Sequence, residues 1–162
     1  MTAVIPVPGT GGRETFVYAA QVGASGVLLL ELGEGLGEDG WHEFVGTVLR
    51  RLGGRPLWAV PPLVLTARGS GQRVIGEVMG CRIAAPDPPA ERVLLARLET
   101  VRGQTWPAGF GTGPGRSDAL LRSWEDEVNG SPLPGLGQTS RELFEQLDRK
   151  RLRPLHPGRP SD

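Results

Sequence analysis

From Trp41 to Leu52 the apolar residues Trp41, Phe44, Val45, Val48, Leu49 and Leu52 recur at intervals of three and four, which is the repeat of one helix face. A stripe that long has to be buried against something, and the flanking segments carry strand character instead. Glu14–Val22 and Gly26–Leu32 are β-branched, aromatic and aliphatic, and Gly23–Gly26 turns between them, so a hairpin is expected ahead of the helix. Asp39 can accept from the free N–H groups at the helix start, and Gly53 supplies a left-handed stop. A second hairpin is expected from Leu57–Ala67 and Gln72–Ala84 around Arg68–Gly71. Pro61 and Pro62 remove two donors from its first arm, which is therefore an edge strand or carries a break. Asp87 and Pro88 then open a helix over Pro88–Arg102, and Gly103 ends it.

The order ββαββα defines an α+β domain, with a mainly antiparallel four-stranded sheet carrying both helices on one face. Its other face is left for water, a partner or the C-terminal segment. The expected core is Phe16, Leu28, Leu30, Trp41, Phe44, Val48, Leu52, Leu65, Ile75, Met79, Leu94 and Leu98. At about 1.5–3 kcal/mol for each such side chain buried, this core needs neither disulfide nor metal.

Gly (25) and Pro (15) make up about a quarter of the 162 residues, which predicts long irregular connections and argues against a compact helical bundle. The stretch 104–116 has no period of either kind and reads as a Gly/Pro-rich linker loop. The chain thus divides into a sheet domain (1–103), that linker, a helical extension (117–153) and a disordered tail (154–162). In the extension, Ser117 opens a helix with Leu120, Leu121, Trp124 and Val128 on one side and an Arg122–Asp126 pair on the other. Thr139 and Glu142 form a capping box ahead of a last helix bearing Leu143, Phe144, Leu147 and Leu152. Pro154, Pro157 and Pro160 prevent its continuation.

With 18 basic and 18 acidic residues the chain makes no bulk field, so any electrostatic attraction has to be local. Lys150 is the only lysine, an arginine bias of the kind a GC-rich bacterial-type composition produces. A single cysteine, Cys81, excludes an intrachain disulfide and a multi-cysteine zinc site, and fits a reducing cytoplasm. Met1–Pro8 lacks the charge and apolar run of a signal peptide, and the longest aliphatic stretch, Val27–Leu30, is far short of a membrane span. A cytoplasmic protein without membrane contact is expected.

No catalytic signature emerges. The glycine-rich stretch Pro8–Thr15 lacks a lysine and leads into a strand, while Phe110–Ser117 has Arg116 where a phosphate-binding lysine belongs. Glu38 and His42 are one turn apart and could face one cation, but acidic residues in a first helical turn are favoured by the dipole alone. The only other histidine is His156, in the tail, so a nucleophile has a poor choice of base. Cys81 reads as a small buried hydrophobe, and Glu77 as a strand carboxylate facing solvent. Neither metal nor cofactor is assigned.

What remains is a non-enzymatic binding or adaptor protein that contacts a protein partner through its C-terminal extension. The expected anchors are Trp106, Phe110, Trp124, Leu143, Phe144 and Leu147. An alternative is nucleic-acid binding through Arg149, Lys150, Arg151 and Arg153, which could neutralise phosphates. The same cations also offset a helix C-terminus and the nearby Glu142, Glu145 and Asp148. A small enzyme using Glu77 or the Glu38/His42 pair is the last alternative.

Overall fold

The structure, a computed structural model, describes residues 1–8, 14–68, 77–103, 106–108, 110 and 114–155, with the backbone alone at 66–68, 77 and 114. Three antiparallel strands, β1 (Thr2–Val7), β2 (Thr15–Val22) and β3 (Val27–Glu34), form the main sheet in that order. β2 and β3 are the expected hairpin, paired from Val22 opposite Val27 to Thr15 opposite Glu34. β1, in a segment whose Pro6 and Pro8 read from sequence as an irregular lead-in to the Glu14–Val22 strand, pairs with β2 from Thr2 opposite Ala20 to Val7 opposite Thr15. Its proline does not oppose this. Met1 exchanges both backbone bonds with Gln21, so strand alternation turns Pro6, which has no N–H, to the outer edge.

The four-stranded sheet is not formed. A second, smaller sheet has β4 (Trp58–Ala59) parallel to β6 (Cys81–Ile83), which in turn pairs antiparallel with β5 (Glu77–Val78). The first arm of the expected hairpin breaks at Pro61 and Pro62 and continues as a short helix, α2 (Leu63–Arg68). The two sheets are tied by Thr2, whose N–H and hydroxyl both donate to the Val60 carbonyl at 3.0 and 2.6 Å. The rest of the expected turn and the start of its second arm, 69–76, lie outside the described residues, and Ile75 with them.

α1 (Glu38–Leu52) carries the predicted stripe inward and stops at Gly53 with φ of 70°. Asp39 is already inside its first turn, and Gly37 caps it without a side-chain bond. α3 (Pro88–Arg102) starts as expected, with Asp87 accepting from the Ala90 amide at 3.1 Å. α4 (Pro114–Gly130) follows, then α5 (Ser140–Leu143), which runs on through a π-helical turn at Phe144–Asp148 and a 3-10 turn at Arg149–Arg151. The Thr139–Glu142 capping box is present, and the Thr139 amide and hydroxyl hold the Glu142 carboxyl below its usual range.

Helices cover both faces of the main sheet, not one. β2 and β3 are apolar at consecutive positions, so each face needs a cover. Phe16, Tyr18, Ala20, Val22 and Leu29 pack with Trp41, Phe44, Val45, Val48 and Leu49 of α1. Val17, Ala19, Leu28 and Leu30 pack on the opposite side with Leu94 and Leu98 of α3 and Leu121 of α4. Of the expected core, Phe16, Leu28, Leu30, Trp41, Phe44, Val48, Leu65, Leu94 and Leu98 are buried, while Leu52 and Met79 are partly so.

α4 also closes the open edge of β3. Odd-numbered residues of β3 face β2, so the polar groups of Leu28 and Leu30 point away from the sheet and need partners. The Asn129 amide accepts from the Leu28 N–H and donates to its carbonyl, both at 2.8 Å. Glu125 accepts from the Leu30 N–H, and Arg122 donates to the Leu30 carbonyl at 2.6 Å. Three side chains at helical spacing thus replace a fourth strand. Asn129→Ala leaves two buried backbone groups unpaired and is expected to destabilise the fold by about 2–4 kcal/mol in urea unfolding, whereas Asp126→Ala on the exposed side should change it by less than about 1 kcal/mol. Equal effects of the two would contradict the edge-capping role.

Candidate binding cleft

The residues expected to anchor a partner are distributed differently from one another. Trp106, Phe110 and Trp124 meet in one cluster, with ring centroids 4.9, 5.7 and 6.3 Å apart, and join the core beside α3 and α4. Phe110 is only 7% exposed. Phe144 is buried against the α1 side of the sheet and Leu143 is half-buried, while Leu147 remains 40% exposed. Arg149 pairs with Glu145 at 2.6 Å, and Arg153 forms a backbone bridge with Arg55 at 2.9 Å in both directions. Arg122 pairs with Glu125 and Glu31, and the expected partner Asp126 goes to Arg141.

His42 lies 3.9 Å from Glu38 and tilted against Trp41, with ring centroids 5.4 Å apart. A cavity of about 360 Å³ is lined by Glu31, Glu34, Glu43 and Tyr18, but Glu31 is engaged by Arg51 and Arg122. The Tyr18 hydroxyl donates to the Gly35 carbonyl at 2.9 Å, and burial raises its pKa. Among the described residues no group of three His, Cys, Asp or Glu side chains could hold a metal. Cys81 is buried in the α1-side core. The Glu77 side chain, His156 and much of both glycine-rich stretches lie outside the described residues.

A larger opening, about 560 Å³, lies where the two sheets diverge. α1 provides its floor through Phe44, Val45, Val48, Leu49 and Leu52. β4 and the residues before it form one wall, the end of β2 and its turn the opposite one, and Asp148, Arg151 and Leu152 a third. Leu57 and Trp58 are 50% and 51% exposed on its rim, and the Arg82 guanidinium lies 5.8 Å from the Trp58 ring centroid. Half-exposed apolar side chains beside an apolar cleft are what a contact surface requires. Sequence patterning missed this cleft because its walls come from three separated segments. The only local signal was Leu57-Trp58 directly after Pro56.

The turn wall is held by one carboxylate. Asp148 accepts from the Ala24 and Ser25 amides at 3.1 and 2.9 Å, so the C-terminal segment caps the β2–β3 turn. Gly23 there has φ of +47°, and a Cβ added to it would fall on the Asp148 carboxylate. Gly23→Ala is therefore expected to lower stability by about 2–4 kcal/mol, from left-handed strain together with lost amide bonds. A loss below about 1 kcal/mol in chemical denaturation, the size of an ordinary substitution, would contradict that contact.

The fold and cleft define an α+β domain with an open apolar site and, among the described residues, no helix long and apolar enough to cross a membrane. No family model and no curated protein matches the chain. Among solved structures it is similar to a chain of the cryo-EM structure of simian T-cell lymphotropic virus intasome in complex with PP2A regulatory subunit B56 gamma. The TM-score is 0.62 at 16% identity, over 99% of this chain and 57% of that one. This chain therefore spans a little over half the length of its structural relative, and the likeness is one of fold.

Proposed function

We propose that the protein is a non-catalytic binding protein that receives another protein in the cleft between α1, β4 and the 148–152 segment. The C-terminal extension contributes one wall of that cleft, not a set of free aromatic anchors. The observation that carries the reading is the half-exposure of Leu57 and Trp58 beside an apolar opening, in a domain whose main sheet is covered on both faces. Selection of a random peptide library on the immobilised protein tests it. Enriched peptides should bind wild type and weaken about tenfold or more with Leu57→Glu, a rim substitution that leaves the fold intact. No enrichment, or binding indifferent to Leu57→Glu, would overturn it.

A second reading, nucleic-acid contact, is favoured by Lys150, Arg151 and Arg153, none of which is ion-paired among the described residues. It requires oligonucleotide binding that falls steeply with salt and disappears when the three are changed to glutamine.

A further inference from the structure

The cleft lining includes Met1 and Thr2 but no later residue of β1, whereas β2 and its turn contribute Ala20–Ala24 and the β4 side contributes Pro56–Val60. The opening therefore lies between the end of β2 and the start of β4, next to the point where Thr2 ties the sheets at Val60. On the β4 side, the Leu57 and Ala59 carbonyls accept from Arg82 and Ala84 at 3.1 and 2.9 Å. Polar groups alternate along a strand, so the N–H and C=O of Trp58 are turned away from β6 toward the cleft.

The charge around this slot is one-sided. Asp148 is the one carboxylate in its lining, and its two oxygens are occupied by the Ala24 and Ser25 amides. Arg151 also lines it, flanked by Lys150 and Arg153, and Arg153 bridges to Arg55. The Arg55 guanidinium meets only carbonyls, those of Gly80 and Pro154, so among the described residues none of these four cations has a carboxylate partner. An acidic occupant would supply one.

We infer that the cleft takes an extended, acidic segment of a partner protein as an added strand beside Trp58. This rests on the reading of the cleft as the contact surface. Alternate apolar side chains of the segment sit on the α1 floor, and its carboxylates meet Arg151 and its neighbours. A single nucleic-acid strand fits less well, because Phe44 is the one aromatic ring on an otherwise aliphatic floor and Arg151 is the one basic side chain in the lining, too few to track a phosphate chain.

The experiment uses the full chain and a peptide selected as above, with N-methyl groups placed on each of its backbone amides in turn. Methylation at alternate residues should weaken binding about tenfold or more, with the residues between them tolerant, and Arg151→Glu should weaken it and remove its salt dependence. Uniform tolerance to methylation, with Leu57→Glu still disruptive, overturns strand addition while leaving the cleft as a binding site. Absence of any peptide sensitive to Leu57→Glu overturns both. Self-association in sedimentation that Leu57→Glu dissolves would make a second copy the occupant and overturn the inference. Displacement of the peptide by a single-stranded oligonucleotide would overturn it in favour of nucleic acid.

Discussion

Glu125→Ala is expected to destabilise the protein by about 3–5 kcal/mol, the range seen when one partner is removed from a buried ion pair. The Glu125 carboxylate, 7% exposed, takes Arg51 at 2.7 Å and Arg122 at 2.6 Å while also accepting from the Leu30 amide. Alanine leaves that edge amide without its acceptor and two guanidinium groups sharing Glu31 alone. For Arg51, burial by itself lowers the pKa, but hydrogen bonds and charge from Glu125 and Glu31 outweigh it and the net shift is upward. The network joins α1, β3 and α4, so its loss should appear in global unfolding and not merely as fraying of α4. Glu125→Gln keeps an acceptor for Leu30 and should lose less. Urea unfolding followed by tryptophan fluorescence and far-ultraviolet circular dichroism checks both, and an alanine effect below about 1 kcal/mol would refute the structural role.

Trp41→Ala should cost a similar amount, about 3–5 kcal/mol, as large aromatic truncations in cores do. Trp41 is 0% exposed, and its indole N–H donates to the Thr2 hydroxyl at 3.0 Å. That hydroxyl in turn donates to Val60, so one side chain both fills the core under α1 and steadies the Thr2–Val60 tie between the two sheets. Trp41→Phe retains most of the volume and removes the indole bond, for an expected loss of about 1–2 kcal/mol. Hydrogen exchange separates the two contributions. In Trp41→Phe the Thr2 amide should exchange faster while amides at the centre of β2 keep their protection. Unchanged exchange at Thr2 would show that the tie stands without the indole.

The elements legible in the sequence were those whose own residues repeat. α1, the β2–β3 hairpin, α3 and the Thr139–Glu142 box all follow from local spacing, cap residues and turn residues. β1 was missed because Pro6 and Pro8 resemble a lead-in, and a strand whose proline faces an outer edge is distinguishable only once its neighbour is known. The four-strand expectation failed at Pro61-Pro62, where a break had been foreseen but the continuation into α2 had not. Leu63–Arg68 is too short for its period to decide between strand and helix.

Periodicity and end signals were thus enough to set an α+β chain with a helix between strand segments, because those preferences are local and each residue carries its own share. Which side chains would cap the β3 edge, where Trp106, Phe110 and Trp124 would point, and that a cleft would open beside β4 depended on distant segments meeting. Arg122, Glu125 and Asn129 look like ordinary polar residues on an exposed helix until Leu28 and Leu30 are placed beside them. Only the assembled fold sets which backbone groups lack partners, and buried groups without partners are costly enough to choose the side chains that answer them.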